Sequence, residues 1–451
     1  MGRIAAAHSG LFLTGRVPRA TYAHRMWPFR RNSAHTVRSS EAYWLLRNGI
    51  GDAGPELTES IDCDIAIVGA GITAALVADA LISTGKRIVV LDARDVAQGS
   101  TAASTALLQY EIDTHLVDLV KILGATPATR AYRACAASFT MLEQRFPELL
   151  PHSNYERRPS LYLASDERAV DTLREEMGAR RGIGLACEWL EADELRRRFG
   201  CQRPGAILSA LGAQVDPFRL ARSLFASCAR HGVRLFARTK VTHIDGDSAT
   251  LKLRTAGGHT VAAAHVVVCA GYESLDFLPG GVANVNNTFA LVTEPLASRE
   301  KIGTLPLIWE SARPYLYLRG TPDGRLLVGG ADVPFKNAAA RDLLLPRQLR
   351  RLQEQYAELF GTELPPVAHA WAGSFAETQD GLPFIGRVPG MNPRLQFALC
   401  YGGNGITYSV HAGEIIRAGI EGREHALDDI FGFGRLGTDL SAGRQRGVAS
   451  S

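Results

Sequence analysis

The chain has 451 residues, of which 46% are hydrophobic and 21% are charged, and its formal net charge is +4. This composition is typical of a soluble globular protein with two or three domains or one large two-lobed fold. No run of eighteen apolar residues occurs, so we predict no membrane span.

The charge is uneven along the chain. Residues 1–50 contain eight arginines and one acid, giving +7, so residues 51–451 carry −3. The near-neutral body gives no reason to expect a nucleic-acid partner. The Arg-rich leader has three interpretations: a transit peptide, a disordered tail, or translated sequence upstream of a start at Met26. Pro18 and Pro28 interrupt any long amphipathic helix, which favours the last two.

The seven cysteines are scattered and contain no CxxC pair. This pattern indicates reduced thiols in a reducing compartment rather than a disulfide framework or a zinc site. We therefore expect a cytoplasmic protein without a bound metal.

The first strongly patterned segment predicts a βαβ unit. Ile65–Val68 is a β-branched run typical of a buried parallel strand. The helical apolar spacing from Ile72 to Thr84 ends at Gly85, and Ile88–Leu91 is a second apolar run.

The turn of this unit carries a dinucleotide-binding pattern, Gly69-x-Gly71-x-x-Ala74. The first glycine permits a tight turn, the second lets a pyrophosphate approach the backbone, and the alanine allows close helix–strand packing. Asp92 ends the second strand, where an acid accepts hydrogen bonds from a ribose hydroxyl. The unit alone does not distinguish NAD from FAD.

Further elements follow in chain order. Residues 99–111 are small and hydroxyl-rich, and we expect them to lie against the cofactor. Helices are predicted over 115–146, a strand over 160–164, and charged helices around a short strand over 166–199, which we interpret as a solvated surface. In 205–275 a helix capped by Asp216, with Pro217 at its first position, lies between strands.

The C-terminal half predicts alternating strands over 285–331, a charged helix over 341–360, and a strand, a glycine-rich turn and a helix over 395–422. The turn contains Gly403-Asn404-Gly405-Ile406-Thr407. Its helix dipole would stabilise negative charge on a reduced flavin ring, whereas an NAD site needs no second helix of this kind. FAD is therefore the better cofactor.

These elements predict an α/β fold in which a Rossmann-like FAD-binding domain is interrupted by an α+β lobe, an antiparallel-sheet substrate domain. The predicted ranges are 1–58 for a partly disordered extension, 59–110, 205–275 and 375–425 for the FAD-binding domain, 111–204 and 276–374 for the substrate domain, and 426–451 for a C-terminal tail.

From about Asp62 to Gly422 the sequence resembles the D-amino-acid oxidase/glycine oxidase/sarcosine oxidase superfamily of FAD-dependent amine oxidoreductases. The fingerprint, "GSTAAST", "QVDPFRLA", "VVVCAGYE", "TQDGLPFIG" and "GGNGITYS" carry the resemblance. Within the superfamily, "YWLL", "GSTAASTALLQYE" and "GGNGITYS" are most similar to bacterial γ-glutamylputrescine-oxidase-like proteins.

The resemblance implies that FAD is bound non-covalently, since neither the cysteine nor the histidine used by covalent members is present. It also implies a substrate other than a small α-amino acid. The two arginines that clamp a carboxylate in such members correspond here to Phe375 and Gly403. An amine whose carboxylate is distant or absent is favoured.

The predicted cofactor contacts lie in the fingerprint, the hydroxyl-rich loop and the second glycine turn. They are Gly69, Gly71, Ile72, Ala74, Asp92, Ala93, Arg94, Gly99, Ser100, Thr101, Ser104, Val241, Gly271, Gly402, Gly403, Asn404, Gly405, Ile406 and Thr407.

The predicted catalytic residues are Tyr315, Tyr317, Arg319 and Gln109. Period-two alternation places the first three on one face of a strand. There the tyrosines would hold the amine and Arg319 a remote carboxylate, but an ordinary half-buried strand explains them equally well. Gln109 follows the loop expected beside the flavin.

Other candidates are weighed as structural. Trp371 and Phe375 either wall the pocket or pack in the core. Glu377 is expected to satisfy a turn, and His115 and His411 are expected to be packing or surface residues.

The implied reaction is hydride removal from an amine carbon, with the imine then hydrolysing and O2 or another acceptor reoxidising the flavin. Two alternatives are a flavoprotein subunit of an electron-transfer complex and an FAD enzyme that modifies RNA. The second needs a basic groove, which the near-neutral body does not offer. An NAD-linked dehydrogenase is the weakest option.

Overall fold

The computed structural model describes residues 38–39, 41–49, 51, 54–278, 280–297 and 302–435. The leader before Met26 lies outside these residues. Within them, no helix is both long enough and apolar enough to cross a membrane. All seven cysteines are among the described residues, and each is an unpaired thiol.

The described helices are α1 (Tyr43–Asn48), α2 (Ile72–Ile82), α3 (Ser100–Ala103), α4 (Leu116–Leu123), α5 (Ala125–Arg145), α6 (Leu149–His152), α7 (Arg168–Gly182), α8 (Ala192–Phe199), α9 (Pro217–Arg230), α10 (Ala338–Phe360), α11 (Gly405–Ile420) and α12 (Asp428–Phe431), with a 3-10 helix at Gly271–Phe277.

The described strands are β1 (Arg38–Ser39), β2 (Ile61–Val68), β3 (Ile88–Leu91), β4 (Leu107–Gln109), β5 (Glu156–Arg157), β6 (Ser160–Leu163), β7 (Cys187–Glu191), β8 (Gly205–Ser209), β9 (Gly212–Gln214), β10 (Arg234–Phe236), β11 (Val241–Gly246), β12 (Leu251–Thr255), β13 (Thr260–Val268), β14 (Asn284–Thr293), β15 (Leu307–Glu310), β16 (Tyr317–Gly320), β17 (Leu326–Pro334), β18 (Val367–Glu377), β19 (Phe384–Arg387) and β20 (Leu395–Leu399).

The first sheet is built on the predicted βαβ unit. Its order is β10-β3-β2-β13-β12-β11, with β20 beside β13 and β19 beside β20. The pairs β2–β3, β2–β13 and β13–β20 are parallel. The carboxyl ends of these four strands therefore meet at one edge, where ligands bind in open α/β sheets.

Apolar helix faces cover this sheet. α2 contacts both α9 and α11, and its residues Ala74 and Val77 are fully buried. The predicted cap of α9 is confirmed, because the Asp216 carboxylate accepts a hydrogen bond from the Arg219 N–H at 2.9 Å.

The second sheet has nine strands in the order β1-β18-β14-β17-β16-β15-β6-β8-β7. Its pairs are antiparallel except β6–β15, which is parallel. α10 contacts β14, β17 and β18. A separate three-stranded sheet has the order β4-β9-β5, and its strand β4 lies near the end of the hydroxyl-rich segment 99–111. The fold is thus mixed α/β, as predicted.

The sheets shift two predicted domain boundaries. β8 begins at Gly205 but pairs with β6 and β7 of the nine-stranded sheet, and β18 continues past residue 375 to Glu377. Both boundaries were predicted from local patterns, whereas strand pairing is set by partners far along the chain.

Both predicted terminal segments contain packed residues. In α1, within the range assigned to an extension, Trp44 is buried. In α12, within the range assigned to a tail, the buried Phe431 ring contacts the Tyr408 ring edge-on.

The predicted solvated surface at 166–199 is wrong for one face of α7. Glu176 and Arg180 are both 0% exposed, and the Arg180 Nε lies 2.7 Å from a Glu176 oxygen. The Arg180 guanidinium lies 3.8 Å from the buried Glu111 carboxylate and within 6 Å of three tyrosine rings. Charged residues predicted exposure, but here opposite charges are buried together.

Candidate active site

The first glycine turn leaves little room for side chains. Gly69 has φ +108°, and a Cβ there would lie 2.5 Å from the Cys269 carbonyl oxygen. A Cβ on Gly71 would lie 2.9 Å from the Thr101 hydroxyl oxygen, which itself accepts the Ile72 N–H at 2.9 Å. The turn therefore presents backbone at the start of α2, as a pyrophosphate site requires.

Asp92 lies at the end of β3 against this turn. Its two carboxylate oxygens accept the Ala70 N–H at 2.5 Å and the Arg94 N–H at 2.7 Å. Burial raises the pKa of Asp92 to about 6, and these hydrogen bonds oppose the rise. The neighbouring Arg94 guanidinium forms an ion pair with Glu273 at 2.8 Å, so this predicted cofactor contact has a protein partner of its own.

Two tryptophans hold the hydroxyl-rich loop. The Trp44 indole N–H donates to the Ser104 carbonyl at 2.7 Å, and the Trp371 indole N–H donates to the Ala103 carbonyl at 2.9 Å. α3 lies in this loop, between Gly99 and Ser104. Ser100 lies beside Gly271: a Cβ added at Gly271 would lie 3.7 Å from the Ser100 hydroxyl oxygen. The structure thus brings the loop, the first turn and Gly271 together.

The second glycine turn contacts the end of β4 and the segment that follows it. The Asn404 amide and the Thr407 hydroxyl both donate to the Gln109 carbonyl, at 2.8 and 3.0 Å. The Gln109 side-chain Nε2 is buried without a hydrogen-bond partner among the described residues. The Gly403 N–H donates to Asp113 Oδ2 at 2.8 Å.

These features fit a flavin dinucleotide. Two helix N-termini, those of α2 and α11, begin at glycine-containing turns without side-chain caps, so their first N–H groups lack intrahelical partners. The buried, unpartnered Gln109 amide is a donor for a polar ligand. Val241, at the start of β11, is buried in a core cluster with Leu57 and Phe236.

A cavity of about 300 Å³ lies beside the second turn. The side chains that give it its chemical character are Asp113, Arg313, Tyr315, Asp332, Phe375 and Glu377. A volume of this size suits a small molecule. Three of the six are acids and one is a base, so the cavity has an excess of negative charge.

Two carboxyl groups of the cavity have raised pKa values. Burial raises the pKa of Asp332 to about 7; Asp113 and Glu377 add to the rise, while the Thr288 hydroxyl and Arg313 oppose it. Burial likewise raises the pKa of Glu377, which accepts a hydrogen bond from the Asn286 amide at 3.1 Å. Asp332 Oδ1 is buried without a hydrogen-bond partner among the described residues.

The two predicted tyrosines lie together. Tyr315 precedes β16 rather than belonging to it, and its hydroxyl is 3.3 Å from Asp113 Oδ1. Tyr317 begins β16, and its hydroxyl is 3.0 Å from that of Thr288. The ring centroids are 5.7 Å apart. Tyr315 lines the cavity, with the Arg313 guanidinium 4.5 Å from its ring centroid.

Arg319 does not reach the cavity. Its guanidinium is buried and donates to the carbonyl oxygens of Thr105 at 2.7 Å and Val215 at 3.0 Å, and it lies 5.2 Å from the Trp44 ring centroid. Burial lowers its pKa to about 10. The expectation that Arg319 holds a substrate carboxylate is therefore corrected, since its donors are engaged by the protein.

The sequence reasoning missed Asp113, Arg313 and Asp332. They come from three separate segments that only the folded chain brings together, and none lies in a glycine motif. Glu377, expected at a turn, lines the cavity, as does Phe375.

The remaining candidates are structural. Trp371 is buried. The His411 Nε2–H donates to the Ala134 carbonyl oxygen at 2.7 Å. The His115 Nε2 and the Tyr162 hydroxyl are hydrogen-bonded at 2.7 Å.

Comparisons with known proteins agree with this geometry. γ-Glutamylputrescine oxidoreductase of Escherichia coli (strain K12) is 26% identical over 386 residues, covering 82% of this chain and 87% of that protein. Glycine oxidase of Bacillus licheniformis is 26% identical over 364 residues, covering 78% of this chain and 91% of that protein.

The crystal structure of glycine oxidase from Geobacillus kaustophilus matches with a TM-score of 0.67 and 23% identity, covering 82% of this chain and 98% of that one, a likeness that shows the fold. The sequence profile of the FAD-dependent oxidoreductase family DAO matches residues 64–418. The protein therefore belongs to the DAO family of FAD-dependent oxidoreductases, and the predicted FAD cofactor is confirmed.

Proposed function

We propose that the protein oxidises the C–N bond of a primary or secondary amine to an imine, which then hydrolyses in water. When bound, FAD supplies the hydride acceptor, the flavin N5. The observation that carries the proposal is the acidic cavity beside the second glycine turn, lined by Asp113, Asp332 and Glu377. Such a cavity attracts a cationic amine and repels a carboxylate.

The cavity also lacks an arginine clamp for a substrate carboxylate. Phe375 and Gly403 occupy the two positions where the family resemblance expects arginine. Arg313 is present, but its Nη2 donates to the Asp113 carbonyl oxygen at 3.0 Å and lies 4.0 Å from the Asp113 carboxylate. Asp113 thus holds this guanidinium, and the cavity lining sets three acids against one arginine. The site favours an amine over glycine, although both kinds of substrate appear in the names of relatives.

The aromatic residues supply positioning. The Tyr315 hydroxyl and ring lie against the cavity, where they offer an amine a hydrogen bond or a ring face. Gln109 offers its unpartnered amide beside the second turn. None of these groups needs to remove a carbon-bound proton, because the hydride leaves from a neutral amine. A substrate that binds as an ammonium ion first loses an N–H proton, which the Asp332 carboxylate, with a pKa that burial raises to about 7, is placed to accept.

An anaerobic titration tests the proposal. The purified protein is reconstituted with FAD and mixed with a panel containing 1,4-diaminobutane, γ-glutamylputrescine, sarcosine, glycine and D-alanine. We expect the flavin absorbance band to bleach with an amine that has no α-carboxylate and not with glycine. Admission of O2 then separates an oxidase from a dehydrogenase by the rate of flavin reoxidation.

Two results would contradict the proposal. A flavin that no amine bleaches would favour a flavoprotein subunit that passes electrons within a complex. Bleaching by glycine or D-alanine in preference to amines would show that the acidic cavity does not select the substrate.

A further inference from the structure

The charges of the cavity do not balance. Asp113 is compensated: it accepts the Gly403 N–H at 2.8 Å, lies 3.3 Å from the Tyr315 hydroxyl, and faces Arg313 at 4.0 Å. Asp332 and Glu377 form no ion pair with any described residue. The three acids that line the cavity therefore share one lining cation, Arg313, whose charge lowers the pKa of Asp332 and Glu377 without forming an ion pair with either.

The two carboxyl groups lie at different places along the sheet. Asp332 is on β17 and Glu377 on β18, and β14 runs between these strands. Asp332 lies at the level of the register shift between Asn287 and Phe289, whereas Glu377 pairs with Asn284. Four residues along one strand and two strand spacings across separate their Cα atoms by on the order of 16 Å.

Both side chains nevertheless face one cavity, and the charge of Glu377 raises the pKa of Asp332. A ligand that binds both carboxylates across the cavity therefore needs two cationic nitrogen atoms joined by a carbon chain.

We propose that the substrate carries two cationic nitrogen atoms, one bound against Asp332 and the other against Glu377. This inference rests on the proposed amine oxidation and names its substrate class, an α,ω-diamine. A monoamine would bring one positive charge to a cavity whose lining has three acids and one arginine, and would leave one of the two carboxylates without a close counter-charge, which is unfavourable.

The buried Asp332 Oδ1 is the second observation that points to a ligand. It has no hydrogen-bond partner among the described residues, and a buried acceptor without a donor is costly unless a ligand or water supplies one. An ammonium group supplies both the missing donor and the missing charge.

The test compares 1,4-diaminobutane with butylamine, which has the same carbon chain and one nitrogen. The dissociation constant of each amine is measured from the rate of anaerobic flavin reduction at pH 8. We expect the diamine to bind at least tenfold more tightly. In Glu377→Gln the difference should fall to within threefold, and Asp332→Asn should reduce it similarly.

Glu354→Gln is the matched control, because Glu354 is an exposed acid on α10. It should keep the full preference for the diamine. The unfolding temperature of each variant establishes whether it is folded. If one of the two cavity variants does not fold, the other still decides the test.

Butylamine binding as tightly as the diamine would overturn the inference while leaving amine oxidation intact. Flavin reduction by neither amine would instead contradict the proposed function for this substrate class. Calorimetric titration of the oxidised, FAD-loaded protein with 1,4-diaminobutane separates these cases: heat of binding that is lost in Glu377→Gln supports the diamine site, and no binding overturns it.

Discussion

At the scale of single residues, the proposed amine site predicts that Asp332 makes substrate affinity depend on pH. Burial raises its pKa to about 7, so the carboxyl group is largely neutral at pH 6 and charged at pH 8. A cationic substrate prefers the charged form. The dissociation constant of an amine should therefore fall about tenfold between pH 6 and pH 8, measured from flavin reduction at each pH.

The groups that face Asp332 set the pH at which the affinity changes. Asp113 and Glu377 raise its pKa, and Arg313 and Thr288 lower it, while the nearby Tyr317, whose own pKa burial raises, stays neutral over this range. Asp332→Asn should flatten the pH profile, and Glu377→Gln should shift its midpoint to lower pH. An unchanged profile in Asp332→Asn would assign the pH dependence to another group.

The residue scale also shows what the sequence could not reveal. Alternation along the strand predicts that Tyr315, Tyr317 and Arg319 share one side, but it carries no information on what covers that side. The Trp44 ring lies against the Arg319 guanidinium. Trp44 belongs to α1, 275 residues earlier in the chain. The cavity arginine is Arg313, whose position before the strand gave no periodic signal.

At the scale of elements, α7 depends on a buried charge cluster. Arg180 forms an ion pair with Glu176 and faces Glu111, and all three are buried. Arg180→Met would leave two buried carboxylates without a cation, and breaking a buried pair in this way costs about 3–5 kcal/mol. The free energy of unfolding in urea should fall by that amount.

Arg181→Met is the matched control for this prediction, because Arg181 is the next residue and is exposed. It should change the free energy of unfolding by less than about 0.5 kcal/mol. Equal losses in the two variants would show that α7 needs positive charge in its last turn rather than the buried pair.

Elements differ in how well their sequences predict them. β2, α2 and β3 were predictable because continuous apolar runs, a glycine turn and a helical apolar face all indicate the same unit. α7 was predicted as a helix for similar reasons, but its burial was not. A helix rich in Glu and Arg has the same local pattern whether its charges face water or each other.

At the scale of the whole molecule, the candidate cofactor site joins segments far apart in the chain. The first glycine turn and the hydroxyl-rich loop come from residues 69–104, Gly271 starts the 3-10 helix, and Gly402 to Thr407 form the second turn. A ligand that contacts all of them binds only the folded state. FAD should therefore stabilise the protein by mass action, by about 2.7 kcal/mol at 100 times its dissociation constant.

Asp92 allows this stabilisation to be divided between the two halves of FAD. Its carboxylate lies at the end of β3 beside the first turn, where we expect it to bind the adenosine ribose, which FMN lacks. Asp92→Asn should reduce the rise in unfolding temperature caused by FAD and leave the rise caused by FMN unchanged.

The control for this prediction is Asp62→Asn, which should change neither rise. Asp62 is an acid on β2 whose side chain is 73% exposed. A loss of equal size for both flavins would mean that Asp92 acts by holding the turn, through its hydrogen bonds to Ala70 and Arg94, rather than by contacting the ribose.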